Sequence, residues 1–473
     1  MKILLVEPPY DLLSFNAGTI ALFEPLGLET VAAMVPEAEV RLIDLRLERD
    51  EARRLVGFTP DLCAFACHSY ATLPSTLRTM ARYRTRFPHA VMVVGGHATL
   101  VPEAFEHPAV DAIVMGEGEE TFRELADAVS AGRDLTTVKG LALPNREGGL
   151  VLTGRRERCR RIDDYPHPRR ELTRAYRRRY FRYDWRPMAA VVTSRGCPHR
   201  CDYCSIWKAN EGRFRMRDPE DIVEELAHIE EPYVTIVDDN TLVDLGRVER
   251  LIALLRKYGI RKTYSIYART DTIAKHPDLM RELALVGVKR VLMGIDGFRE
   301  SDLADRNKRN SVGNNERAIR VLHDCGMQAL GYFLVRPDYT EQDFEDLGRY
   351  VRQLHIFQPV FTMLTPLPGT QLYENVKREL TTHDPRFYDF LHMVLPTRLP
   401  LKTFYDCYTR LWRTSHRRSF LKLTPAAIRA YLVLRRLYRD HLRAKPCPQP
   451  LWMNKPATRL ATRRSLQEVE VMS

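Results

Sequence analysis

Three thiols fall within eight residues: Cys197, Cys201 and Cys204, in the stretch Thr193-Ser194-Arg195-Gly196-Cys197-Pro198-His199-Arg200-Cys201-Asp202-Tyr203-Cys204, spaced C-x3-C-x2-C. Three thiolates this close can grip three irons of a [4Fe-4S] cube and leave the fourth iron without a protein ligand, whereas a complete cluster site supplies four cysteines. The open iron is then a working position. Structural zinc is the competing reading, but it asks for four ligands in paired C-x2-C arrangements, and no fourth cysteine or well-spaced histidine lies nearby.

Two further stretches carry unusual chemistry at strand-like ends: Gly95-Gly96-His97-Ala98-Thr99 and Gly116-Glu117-Gly118-Glu119. Glycine there lets backbone approach a bulky ligand, although a plain turn is the simpler meaning of either stretch taken alone. Downstream of the thiols, Asp238 and Asp239 end another apolar run, where carboxylates suit an ammonium group or cap the next helix. Arg269 is a fixed cation of the kind that recognises a carboxylate.

These residues need a scaffold, and the apolar pattern supplies one. Short runs at 3–6, 40–43, 62–66, 91–94 and 112–115 read as strands, with helices at 28–35, 77–84 and 120–128 between them. Five such strands suggest a doubly wound sheet that binds ligands beyond the carboxyl ends of its strands. Residues 132–187 show little periodicity and many charges, including Arg155-Arg156-Glu157-Arg158 and Arg177-Arg178-Arg179, and read as a linker with a solvated face. From Met188 the alternation resumes six-fold, with strands at 189–193, 233–237, 263–267, 290–293, 327–333 and 359–362, and chemistry belongs on the loops at their carboxyl ends. The expected division is 1–131, a Rossmann-like domain; 132–187, the linker; 188–375, a partial (βα)6 barrel; and 376–473, a mainly helical extension with a loose tail.

The cysteine spacing, with an aromatic residue just before the last thiol, resembles the signature of the radical S-adenosylmethionine (SAM) enzymes. The resemblance implies that Cys197, Cys201 and Cys204 hold a [4Fe-4S] cluster. It also implies that SAM chelates the open iron and is cleaved to a 5'-deoxyadenosyl radical by one electron from a flavodoxin-like or ferredoxin-like donor. Tyr203, Asp238, Asp239, Arg269 and Asp296 are then the SAM-side positions; Asp296-Gly297 stands where relatives commonly have Glu-Ser, which puts the usual ribose contact in doubt. The glycine motifs upstream of the triad resemble the cobalamin-binding domain of the B12-dependent members. By that resemblance Gly95, Gly96, His97, Gly116, Glu117 and Gly118 take the corrinoid, and Cys67, His68 and Ser69 lie near its lower face; core packing is the alternative for Cys67. The D-x-H-x-x-G motif that supplies a histidine to cobalt elsewhere is absent, so no histidine is expected as lower ligand.

The family chemistry implies a C-methyltransferase: cobalt takes methyl from one SAM, the cluster makes a radical from another, and an unactivated carbon loses hydrogen and collects the methyl from methylcobalamin. Radical cyclisation or rearrangement, as in tailoring of secondary metabolites, is the runner-up. Glu24-Pro25-Leu26-Gly27-Leu28-Glu29 and Leu395-Pro396-Thr397-Arg398-Leu399-Pro400-Leu401 resemble the branch containing the hopanoid C-3 methylases, which suggests a lipid substrate.

Composition narrows the setting. Lys+Arg 73 against Asp+Glu 61 gives +12, which favours anions without naming one. Nine cysteines form no disulfide framework, MKILLVEPPY enters a strand without a signal-peptide pattern, and no segment reaches about 18 continuous apolar residues, so a reducing cytoplasm is expected. A basic amphipathic helix opening at Thr424-Pro425 and running to about Arg443 suits an anionic membrane surface or packing on the protein itself. A cobalamin- or redox-sensing regulator remains the reading of another class, but no helix-turn-helix or aromatic RNA platform accompanies the cluster, and no nucleic-acid partner is expected.

Overall fold

A computed structural model of the 473-residue chain describes residues 1–10, 20–145, 147–416, 438, 439 and 441. Its first strand, β1 (Lys2–Glu7), is a continuous apolar run because both of its faces are covered, and Ile3 through Val6 are fully buried. Around it lie β2 (Glu39–Asp44), β3 (Leu62–Ala66), β4 (Val91–Gly95) and β5 (Ala112–Val114), all parallel, in the order β2-β1-β3-β4-β5. One face packs Leu4, Val6, Phe65 and Met92 against Met80 and Tyr83, the latter pair from a helix at Leu73–Arg86. The other packs Ile3, Leu5 and Val93 against helices at Leu26–Ala33 and Glu119–Ser130. Each element expected in this half is present, with ends moved by a few residues.

The sheet does not stop at residue 131. β6 (Leu141–Pro144) pairs antiparallel with β5, and β7 (Leu150–Leu152) pairs with β6, giving seven strands. This hairpin turns through Gly148 and Gly149, both at positive φ, and its strands are too short to carry a periodic signal. The following arginines divide: Arg155, Arg178 and Arg179 are exposed as a solvated face would be, whereas others are paired inward. Arg170 pairs with Glu24 and, at 2.5 Å, with Glu225; Arg177 pairs with Glu24 at 2.8 Å and with Glu231; Arg156 pairs with Glu124. The segment riveted by these pairs joins the two halves by charge.

The second half is a parallel sheet in sequential order: β8 (Met188–Val191), β9 (Tyr233–Ile236), β10 (Thr263–Tyr267), β11 (Val288–Asp296), β12 (Gln328–Val335) and β13 (Gln358–Met363). Helices between them start on side-chain caps where the sequence provides them; Asp218 accepts from Glu220 N ahead of Pro219–His228, and Thr340 forms a reciprocal box with Asp343 at Glu341–Gln353. Along β12 and β13 burial alternates. Phe333, Val335, Phe361 and Met363 are sealed under the helices, while Tyr332, Leu334, Val360 and Thr362 face a lumen that stays partly open.

Beyond the barrel, α1 (Leu401–Ser415) buries Phe404, Tyr405, Tyr408 and Leu411. The expected basic helix at 424–443 lies outside the described residues, apart from Tyr438, Arg439 and His441. Tyr438 and His441 are buried, with Tyr438 stacked on Tyr405 at 4.2 Å and His441 on Phe387 at 4.5 Å. Among the described residues no helix is long and apolar enough to cross a membrane.

Candidate active site

The carboxyl ends of both sheets open onto one cavity of about 710 Å³. On the first sheet it lies at the β1/β3 switch point, where strand order reverses and a crevice is unavoidable. Glu7 and His68 flank it there, and Arg195, Val237 and Asp239 close it from the barrel. Of the residues expected on the corrinoid, His68, Ser69, Gly95, Gly96, His97, Gly116, Glu117 and Gly118 all line this cavity. Cys67 does not. Its thiol turns into the core beside Thr72 Oγ1 and Ser69 O, both at 3.6 Å, and burial pushes it up to about 11.

Backbone shapes this wall. Gly96 sits at φ +114°, and a Cβ there would lie 2.7 Å from the Cys67 carbonyl oxygen, so only glycine allows the turn. Thr99 Oγ1 then ties the turn down by donating to Gly96 O at 2.8 Å and Val114 O at 2.9 Å. A crevice floored by glycine at two strand ends fits a large planar ligand with a long tail.

The opposite wall is made by residues that flank the cysteine loop, Arg195 before it and Ile206, Ala209 and Asn210 after it; Cys197, Cys201 and Cys204 themselves do not line the cavity, and their loop is held by side chains. Gly196 (φ +90°) precedes Cys197 with no room for a Cβ, which would overlap Arg213 O; its N–H donates to Asp239 Oδ2 at 2.8 Å. Asp238 lies beneath the loop. It accepts from Thr193 N at 2.6 Å, Thr193 Oγ1 at 2.5 Å, Ser194 N at 2.9 Å and Ser194 Oγ at 2.8 Å, so both of its oxygens are spent inside the protein, while Asp239 faces the cavity. Tyr203 donates to Asp296 Oδ2 at 2.6 Å, and Lys308 Nζ stands 2.7 Å from the same carboxylate. Two positions expected on SAM are thereby brought together, with a lysine that no sequence signal marked. Arg269 is bound to Asp271 at 3.0 Å and to Lys308 O at 3.0 Å, which anchors the 308–309 turn.

Burial raises all three cysteine thiols, Cys204 to about 12; Cys204 feels the charge of both Cys197 and Cys201, and Cys197 that of Cys201. Among the described residues no three Cys, His, Asp or Glu side chains converge on a single-ion site. A cubane asks for something different, one thiolate on each of three separate irons, and the donor set of the loop is of that kind.

The two walls meet at a polar seam that the sequence did not announce. His97 Nε2 and Ser205 Oγ, one residue past Cys204, are hydrogen-bonded at 2.7 Å. Glu117 accepts from Arg195 at 3.0 Å and from Arg215 at 2.6 and 2.8 Å, and Glu119 pairs with Arg195. Burial alone would raise the Glu117 carboxyl, but the two guanidinium groups override it and hold it at about 2. Arg195 stands in the cysteine stretch itself; its only clue was an arginine placed two residues before the first thiol.

Known proteins resemble this chain in sequence and fold. Residues 191–351 match the radical SAM superfamily and residues 20–126 the B12 binding domain. The chain is 30% identical over 393 residues to the hopanoid C-3 methylase of Methylococcus capsulatus, covering 81% of this chain and 74% of that one. It is 30% identical over 390 residues to an uncharacterized methyltransferase of Pyrococcus horikoshii, with 79% and 83% covered. The fold is similar to that of the radical SAM methyltransferase TsrM from Kitasatospora setae, solved with cobalamin and a [4Fe-4S] cluster, at a TM-score of 0.65 and 20% identity over 80% of this chain and 78% of that one. With two cofactor domains in this order and relatives aligned along both, the chain belongs to the cobalamin-binding radical SAM methyltransferases, and its cofactors are a [4Fe-4S] cluster, SAM and cobalamin.

Proposed function

We propose that the protein C-methylates an unactivated carbon of a hydrophobic small molecule, with a polycyclic lipid of the hopanoid class as the substrate. The observation that carries this reading is the one cavity lined by the glycine turns of one domain and, from the other, by Arg195 and Ile206, which flank the three thiols in sequence. When bound, the cluster and cobalamin supply a carbon-centred radical from one SAM and a transferable methyl group from another. Cys197, Cys201 and Cys204 would hold the cluster. Tyr203, Asp296 and Lys308 would form a polar wall for SAM, and Gly95, Gly96, His97, Gly116, Glu117 and Gly118 would receive the corrinoid largely through backbone. The substrate carbon has no acidic proton, so what the chain's own residues must do is position and exclude water rather than act as a base. The Glu117 and His97 seam closes the chamber at the contact between its walls. The 30% identity to a hopanoid C-3 methylase, spread along both domains, supports the lipid. The burial of Tyr438 and His441 against the protein supports contact of these two residues with the protein in preference to a membrane surface. The reducing electron is expected from a flavodoxin-like or ferredoxin-like donor.

Anaerobically reconstituted protein, given methyl-labelled SAM, a one-electron reductant and a hopanoid extract, is expected to release 5'-deoxyadenosine and move label into the lipid. Release of 5'-deoxyadenosine with an unlabelled lipid overturns the substrate; no release at all overturns the enzyme class.

A further inference from the structure

Beneath the barrel lumen sits a cation without a counter-charge among the described residues. Arg182 belongs to a two-residue strand, Phe181–Arg182, that pairs with Ala21–Leu22 and folds back through reciprocal Arg182–Trp185 backbone bonds of 3.0 Å. Its residue is 3% exposed. Nη1 donates to the Tyr267 hydroxyl at 3.0 Å and Nη2 to the Tyr332 hydroxyl at 3.3 Å; the guanidinium faces the rings of Tyr267 at 5.3 Å and Phe23 at 5.7 Å. Nε is buried with no partner among the described residues. Other buried arginines have a carboxylate: Arg170 has Glu24, Arg195 has Glu119, Arg217 has Glu225, Arg290 has Asp184. Arg182 makes no ion pair among the described residues, and burying a charge that way is costly unless something supplies the opposite sign.

The hydrogen-bond direction says where that something would sit. A guanidinium has donors only, so each phenol oxygen accepts from Arg182 and its own O–H proton must be given elsewhere. Neither hydroxyl has an acceptor among the described residues. Tyr332 stands on the half-exposed, lumen-facing row of β12, and Tyr267 ends β10, also half-exposed, two residues before Arg269. Phe23, over the same guanidinium, lines the large cavity. Two O–H donors, held side by side by one buried cation, thus open into the lumen next to the chamber assigned above.

We propose that Tyr267 and Tyr332, backed by Arg182, bind an anionic oxygen group of the substrate, a carboxylate or a phosphate, and so fix its polar end while the reacting carbon lies nearer the cofactors. The word substrate rests on the methyltransferase reading, and an anchor of this kind narrows the lipid proposed there to one that carries an acidic group; the anion site itself does not rest on that reading. A neutral hydroxyl could accept the two O–H bonds but would leave the cation uncompensated.

The reconstituted full chain can be titrated calorimetrically with octanoate, octyl phosphate and 1-octanol. At least one anion is expected to bind tenfold or more tightly than octanol. Tyr267→Phe/Tyr332→Phe should abolish that preference, and Arg182→Lys, which keeps charge but not the two-pronged geometry, should reduce it. Whichever anion is preferred names the group. Anions held no better than octanol, or a double variant that keeps the preference, overturn the site. Cobalamin content and 5'-deoxyadenosine release, measured on the same samples, separate the two readings: release without anion preference removes only the anchor, and preference without release removes only the methyltransferase reading.

Discussion

Where the two glycine motifs line the sheet side of the cavity, the surface is main chain: strands stop, glycines turn, and no side chain of Gly95, Gly96, Gly116 or Gly118 occupies the space. On the barrel side the cavity is lined by Arg195 and Asp239, and the cysteine loop beside it is fixed by charge and hydrogen bonds, with Asp238 bracketing the loop and Asp296 joined to Tyr203 and Lys308. The difference follows from what each wall must hold. A large flat ligand is best received by backbone that leaves room, whereas a radical-generating centre needs rigid neighbours that cannot drift. One wall should therefore fail by steric filling and the other by loss of a charge.

The sharpest break is Gly96→Ala. The new Cβ would meet the Cys67 carbonyl at 2.7 Å on a backbone at φ +114°, and strain of about 1–3 kcal/mol must be relieved by shifting the turn. Cobalamin affinity should fall at least about tenfold, while iron content stays at the wild-type level. Equilibrium dialysis against hydroxocobalamin, with iron and sulfide assayed on the same samples, tests this; a joint loss of cobalamin and iron would mean that the two walls are not independent.

A smaller effect is expected at the seam. Glu117→Gln keeps the shape but leaves Arg215 without its carboxylate, at a cost of about 2 kcal/mol. The pH dependence has a definite sign. The folded-state carboxyl is held at about 2, below the ordinary 4.5, so its contribution is complete above about pH 4.5 and drains away as pH falls toward 2. Wild type should lose its advantage over the variant across that window in thermal unfolding scans, and a constant difference would assign the effect to packing instead of charge.

The walls also differed in how far the sequence exposed them. Both sheets were legible from alternating apolar runs, and the thiols and strand-end glycines from spacing, because those signals are local. What escaped was pairing between residues far apart in the chain. Glu117 read as part of a ligand loop, although its carboxylate is committed to Arg195 and Arg215; Asp238 read as a partner for an ammonium group, although Thr193 and Ser194 saturate it. Lys308 and Arg182 carry no motif at all. Arg170 and Arg177 looked like solvated charge because nothing local says that Glu24, about 150 positions earlier, will be buried against them. The β6–β7 hairpin escaped for a simpler reason, since four- and three-residue strands show no period.

Cys67 sharpens the comparison with the smallest change. It follows β3, where the sequence placed it near the corrinoid's lower face with core packing as the alternative, and its neighbours His68 and Ser69 do face the cavity. The side chain points the other way, into the core with Tyr70 and Leu73, and what the cavity wall uses is its carbonyl, which receives the Ala98 N–H at 3.1 Å and crowds Gly96. Cys67→Ala removes one buried sulfur and nothing from the cavity, so it should cost about 1 kcal/mol and leave cobalamin affinity unchanged. Gly96→Ala, acting on the same contact from the other side, should do the reverse. If Cys67→Ala released cobalamin as Gly96→Ala does, the thiol would have to reach the corrinoid, and the sheet-side wall could no longer be described as backbone.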